Sequence, residues 1–315
     1  MKKKAAERKK KRVSLSTIIA VIILLTGLSV LLYPTVSDYW NSRHQTMAVA
    51  KYDETVASMS SEDYEALFAE AEQYNRDLAA LPLPFEQYDR LDGDYRNCLD
   101  ITGEGILGYI AIPKIGVELT IYHGTGEDVL NKAAGHLEGS SLPVGGEGTH
   151  AVLSAHRGLP SARLFTDLDK LEKGDTFTIT VLNRVMTYEV DQILIVEPTQ
   201  MDALSRVRNG DYVTLVTCTP YGVNTHRLLV RGRRVENQET DIVVHPDAMR
   251  IPVYIVMPAI MIPIVFVLLI GLLLIYRKQS KPVSTEDIRR MQKERIITEA
   301  RQMETTEEHN DSDQT

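Results

Sequence analysis

Two long apolar stretches, 13–37 and 251–276, dominate the pattern of the chain, and neither contains a charged residue. Each exceeds the roughly 20 residues that a helix needs to cross a hydrocarbon core. Lysine and arginine crowd Lys2–Arg12 before the first stretch, and Arg277, Lys278 and Lys281 follow the second. The positive-inside rule therefore predicts cytoplasmic ends and an outer central portion, 38–250. A cleaved signal peptide is the alternative for the first stretch. Its apolar run, Ile18 to Tyr33, is long for that role, and Ala48-Val49-Ala50 lies too far downstream to be a cleavage site, so an uncleaved anchor is expected. Pro252, Pro258 and Pro263 interrupt the second stretch, which a membrane tolerates. Burial as a core helix is the alternative for both, but neither has a polar face.

Between the two stretches the period of the pattern changes twice. Residues 36–59 read as a helix, with Tyr39 and Trp40 at the interface level. A second helix starts at Ser60, with Asp63 in a variant capping box. Tyr64, Leu67, Phe68, Ala71, Asn75 and Leu78 follow at helical spacing, and the helix stops before Pro82. Residues 82–105 then lose periodicity, as expected of a functional or disordered segment. Beyond them come short runs bounded by turn residues: GYIAI, VELTIY, HAVLSA, TFTITVL, TYEVDQILIV, YVTLVTC and RLLVRGRRV. TFTITVL and TYEVDQILIV, joined near Asn183-Arg184, form a hairpin pattern. Seven or eight strands at this spacing predict a mainly β domain, closed or sandwich-like, with a helical turn at 164–171. The charged tail after the second stretch has a helix start at Ser284 and Asp287, and its last residues are too polar to fold.

Composition adds little to this picture. The 315 residues are 43% hydrophobic and 25% charged, an ordinary mixture, and the net charge of −8 gives no support for a nucleic-acid partner. No Cys/His cluster has zinc spacing and no glycine motif cradles phosphate, so neither metal nor cofactor is expected. The two cysteines, Cys98 and Cys218, both fall in the outer portion, where a disulfide is one option and a reactive thiol the other.

Cys218 ends the run YVTLVTC and is followed by Thr219-Pro220-Tyr221-Gly222, which turn the chain away. Arg227 opens the next run nine residues later, so an antiparallel pair would set the two side by side. Positive charge stabilises a thiolate and can bind a developing oxyanion. A buried structural cysteine fits the same pattern, and spacing alone does not separate the two. His156 closes HAVLSAH ahead of Arg157-Gly158-Leu159-Pro160, which gives the cysteine–histidine pairing of acyl transfer. Of the other histidines, His123, His136 and His150 read as loop positions and potential polar caps.

These runs carry a resemblance. TLVTCTPYGVNTHRLLVRGRR (214–234) resembles the sortase signature, a strand-end Thr-x-Thr-Cys followed by an arginine. Residues 135–175 and IPKIGVELTIYHGT (112–125) resemble the class C, pilus-type, members. The resemblance implies a sortase-type closed β-barrel with short helices, an N-terminal helical extension and two flanking transmembrane helices. It also implies catalytic roles for Cys218, His156 and Arg227. The expected order is a basic cytoplasmic segment (1–12), a signal anchor (13–37), a helical extension (38–81) and an active-site lid (82–105). The catalytic barrel (106–236), a linker (237–250), a second span (251–276) and a cytoplasmic tail (277–315) follow. Family lids carry Asp-Pro-aromatic; here Leu83-Pro84-Phe85 puts leucine at the acidic position, with Asp92, Asp94 or Asp100 as substitutes. A Cys98–Cys218 disulfide would block the site. The implied activity is cleavage of an LPxTG-type sorting signal between Thr and Gly and transfer to an amine, foremost a lysine of a pilin subunit. This would occur at the outer face of a Gram-positive cell membrane. Housekeeping cell-wall anchoring, hydrolysis by a cysteine protease, and a membrane-tethered binding or scaffold protein are the alternatives.

Overall fold

The computed structural model describes residues 15–237, with scattered positions between 262 and 298. The expected basic N-terminus, the linker beyond Asn237 and the end of the tail lie outside the described residues. So does the expected second span, apart from isolated helical positions. Residues 251–315 form a unit separate from 1–250, and within it residues 289–298 are helical.

The expected anchor and the helix after it are one element, α1 (Leu15–Ala57). Nothing in its middle breaks a helix except Pro34, which lies in the apolar half. Residues 19–57 of this helix are long and apolar enough to cross a membrane, and the apolar window is wholly unburied. The outer half packs instead: Val49 and Tyr52 are fully buried. The Tyr52 hydroxyl donates to the Leu107 carbonyl at 3.1 Å and accepts from the Leu182 N–H at 2.8 Å. Helix α2 (Ser61–Ala80) begins at the Ser60–Asp63 capping box and buries Phe68, Ala71, Tyr74, Asn75 and Leu78. Asn75 acts as an amide clasp, donating to Leu142 O at 3.2 Å and accepting from Leu142 N at 2.7 Å.

The segment expected to be irregular is ordered. It holds α3 (Pro84–Gln87), a 3-10 turn (Tyr88–Leu91) and α4 (Asp92–Asn97). Pro84 at the first turn suits a helix start, and four-to-six-residue helices are too short to leave a periodic signature.

Eight strands close a barrel: β1 (Ile106–Ile112), β2 (Val117–His123), β3 (Ala134–His136), β4 (Thr149–Ser154), β5 (Thr176–Val181), β6 (Arg184–Val196), β7 (Asp211–Thr219) and β8 (His226–Val235). Their spatial order is β1-β2-β3-β4-β7-β8-β6-β5, with β5 returning to β1. Pairing is antiparallel except for β2 with β3 and β4 with β7. Strand β3 leaves no signal in the sequence, because the three residues AGH carry no alternation. A short α5 (Glu127–Leu130) precedes it. The core includes Phe177 stacked on Tyr188, with ring centroids 5.7 Å apart. Gly232 makes room for that ring, since a Cβ there would lie 2.6 Å from Phe177 Cε1.

Three histidines expected at loop positions lie in strands instead: His123 ends β2, His136 ends β3 and His150 is in β4. His136 and His150 are fully buried. Both are satisfied by hydrogen bonds within the chain, as buried polar side chains must be. His150 meets Ser205 O at 3.0 Å and Thr214 Oγ1 at 2.7 Å.

Candidate active site

Strands β7 and β8 are joined by a short loop, and their register sets Cys218 opposite Arg227. Strand β4 runs parallel to β7, with Ser154 beside Val216. In a parallel pair both chains leave the sheet at the same edge, so the residues after β4 emerge beside the end of β7. The pairing persists past the last strand residue. Ala155 N donates to Val216 O at 3.2 Å, and Thr217 Oγ1 donates to Ala155 O at 2.8 Å. His156 is the next residue, and its carbonyl accepts from Phe165 N at 3.2 Å.

Cys218, His156 and Arg227 all line one cavity of about 290 Å³. Each is partly exposed. The apolar end of the cavity is formed by Leu137, Val152, Val196, Met201, Leu204 and Leu229. Glu197 also borders it. Arg227 donates to the main-chain carbonyls of Asn224 and His226 at 3.3 and 3.2 Å, and makes no ion pair among the described residues. Two of the three aspartates expected as substitutes in the lid are engaged elsewhere. Asp92 holds Arg96, and Asp100 accepts from Gly105 N.

Leu83 is exposed. Phe85 packs on the apolar cluster of Val152, Leu204 and Leu229 that forms the cavity floor. The chain crosses Gly139 closely at this point: a Cβ on Gly139, which has φ +84°, would lie 2.8 Å from Phe85 Cα. Tyr95 of α4 pins the far end of the same segment. Its hydroxyl accepts from Gly124 N at 2.8 Å and lies 3.0 Å from His136 Nδ1. His136 Nε2 is 2.8 Å from Ser141 O, a contact that requires the proton on Nε2 and leaves Nδ1 to accept from Tyr95.

Both cysteines are free thiols. Burial pushes the Cys98 thiol up to about 12, helped by the nearby Glu70 and Asp94 carboxylates. It therefore stays protonated and unreactive at neutral pH.

One residue missed by the pattern ties the site together. The Arg157 side chain is only 8% exposed. It donates to Thr166 O at 3.1 Å, to Thr219 Oγ1 at 3.3 Å and to Asp169 at 2.6 Å, while Tyr221 lies over its guanidinium. Arg157 thus joins the chain around His156 to the residue after Cys218. The sequence signal was a lone arginine beside a histidine, which cannot be told from an exposed charge.

The sortase domain model matches residues 110–235, which is the barrel from β1 to β8. Sortase C1 from Streptococcus agalactiae superposes with a TM-score of 0.59 at 50% identity, over 61% of this chain and 100% of that one. This chain belongs to the sortase family, in class C. A sortase C structure from Clostridium perfringens, solved with the C-terminal cell wall sorting motif, matches at 43% identity with a TM-score of 0.52. It covers 61% of this sortase and 100% of that chain. Sortase D of Bacillus subtilis is 33% identical over 131 residues, 41% of this sortase and 63% of that relative. The sortase therefore spans less than two thirds of that curated relative's length. Sortases are cysteine transpeptidases, and the expected closed barrel of this class is the fold observed.

Proposed function

We propose that this sortase cleaves an LPxTG-type sorting signal between Thr and Gly and joins the threonine carbonyl to an amine, foremost a lysine side chain of a pilin subunit. The observation that carries the reading is the convergence of Cys218, Arg227 and His156 on one half-open cavity. In this mechanism the Cys218 thiolate attacks the threonine carbonyl carbon, and the oxygen takes the negative charge. Arg227, opposite Cys218 in register, offers its guanidinium to the thiolate and to that oxygen. His156 gives a proton to the leaving glycine nitrogen as the C–N bond breaks, which leaves a thioester on Cys218. The acceptor amine then adds to the thioester carbonyl, loses a proton to His156 and expels the thiolate. Leu83-Pro84-Phe85 serves as the lid over the apolar end of the cavity, and Phe85 must leave before a substrate side chain can enter.

Support for the acceptor comes from class C membership, and for the donor from the C. perfringens relative solved with its sorting motif. In the proposed topology α1 anchors the N-terminus, 251–276 forms the second span, and the barrel lies outside a Gram-positive cell membrane with both termini cytoplasmic. The test is incubation of the full chain with a sorting-signal peptide and competing amines. The expected result is a mass-shifted thioester on Cys218 and amine adducts, both lost in Cys218→Ala. Only hydrolysed peptide would point to a protease. No thioester, with an unreactive Cys218 thiol, would point to a binding protein.

A further inference from the structure

The α1 helix holds the barrel at a fixed distance from its own apolar stretch. From Ile19 to Val36 many of its large apolar side chains are exposed, among them Ile22, Ile23, Val30, Leu31 and Tyr33, and none is buried. At 1.5 Å per residue that stretch is about 27 Å long, close to one hydrocarbon thickness. Asp38 is the first charged residue after it, and the exposed Trp40 follows, with an aromatic character suited to the headgroup level. The helix then continues without a break to Ala57.

The part of the barrel that meets this boundary is the loop after His156. Asp38 Oδ1 accepts from Arg163 N at 2.8 Å. Asn41 Nδ2 donates to Ser161 O at 2.7 Å, one helical turn further out. Other barrel contacts lie higher on the same helix. Gln45 reaches Lys132 O and Thr120 N at 2.6 and 3.0 Å. Tyr52 meets Leu107 and Leu182, about 20 Å above Asp38 by the helical rise. The two termini of the loop lead straight to the site: His156 O is held by Phe165 N, and Arg157 is bonded to Thr219.

We propose that the 157–163 loop, with exposed Pro160 at its tip, lies against the lipid headgroups. The candidate site would then open at the membrane surface, suited to donors whose own chain is still embedded in the same bilayer. The lipid-surface part rests on α1 as a membrane span; the donor part rests also on the function proposed above. With α1 upright, the start of α2 at Ser61 lies about 30 Å farther from the bilayer than the loop does, and an ordinary tilt of roughly 20° shortens this by under a tenth.

The test uses the full chain in vesicles of phosphatidylglycerol and phosphatidylcholine. A donor fluorophore is attached at Pro160→Cys or at Glu62→Cys, each in Cys218→Ala with the buried Cys98 left in place. Energy transfer to an acceptor on the lipid headgroups reads the height of each label. The expected result is that the 160 label lies at the headgroup plane and the 62 label about 25–30 Å above it. Equal heights, or a higher 160 label, would overturn the proposal. A second arm inserts seven alanine-rich helical residues after Ser37, which preserves the helix face and lifts the barrel about 10 Å. Turnover of a vesicle-anchored sorting peptide should fall several-fold while turnover of the free peptide is unchanged. An equal effect on both would sink the tethered-donor part. If the native chain turns over neither peptide, the proposed function fails while the height measurement stands.

Discussion

Replacing Arg157 by methionine keeps the length and most of the volume of the side chain but removes three donors at once. Hydrogen bonds from a charged donor contribute about 1.5–3 kcal/mol each when their partners are buried. Thr219 is buried and Thr166 half-buried, whereas Asp169 is 49% exposed, so that ion pair is discounted to about 0.2–1 kcal/mol. Allowing for water reaching the Thr166 carbonyl, the expected loss is about 2–4 kcal/mol. For a folded region of this size each kcal/mol moves the midpoint by about 2–4 °C, so Tm should fall by about 5–15 °C. Below that midpoint the loop would still fold but would no longer be tied to Thr219. Alkylation of Cys218 should then lose its dependence on His156. In the native chain His156→Ala should slow the labelling; in Arg157→Met the same change should have little further effect. Arg157→Lys should recover charge toward Asp169 without the planar fork, and so only a minor part of the stability. A Tm within about 1 °C of the native value, together with an unchanged labelling profile, would refute the bracing argument.

The other predictions concern the lid, the histidines and the anchor helix. Gly139→Ala should displace the lid, because the new Cβ meets Phe85 Cα at 2.8 Å and Pro84 O at 3.0 Å; faster alkylation of Cys218 is the readout, and an unchanged rate would mean that the segment does not cover the thiol. Burial pushes the His136 imidazole down from its ordinary value to about 4. The folded chain therefore keeps the neutral ring where the unfolded chain takes up a proton, so this contribution is complete above about pH 6.5 and is lost as pH falls toward 4. The loss is about 2 kcal/mol by pH 5, and burial shifts His123 and His150 in the same direction. Urea midpoints should drop between pH 7 and 5, with a shallower drop in His136→Gln; equal slopes would contradict the assignment. Tyr52→Phe leaves Leu107 O and Leu182 N without their buried partner and should cost about 1–3 kcal/mol in chemical denaturation. A neutral result would mean that water replaces the hydroxyl.

The strands that carry Cys218 and Arg227 were legible because their apolar runs are long and the turn between them is marked by Pro220 and Gly222. Register followed from the distance between the two residues along the chain. The helix start at Ser60 was equally readable, since a capping box is a local signal. The short elements were not. Strand β3 and helices α3 and α4 are held by contacts from elsewhere, such as Tyr95 with Gly124 and His136, which leave no period in their own sequence. The strand positions of the buried histidines are not legible because burial of an imidazole depends on partners such as Tyr95 and Thr214, far along the chain. Arg157 is illegible for a related reason: its burial depends on Thr166, Asp169 and Tyr221 folding around it.

The parallel pairing of β4 with β7 separates two things that enzymes often have to change together. Because both strands deliver their ends to one rim, the hydrogen-bond ladder brings Cys218 beside the backbone that leads into His156, and Arg157 braces the loop that follows. Arg227 joins them by the neighbouring antiparallel register. The connections that border the cavity after β2 and after β6 are then free to lengthen, shorten or change sequence, whereas the one after β4 stays held through Arg157. A lineage can re-tailor what this rim accepts while the reacting atoms stay where the barrel puts them.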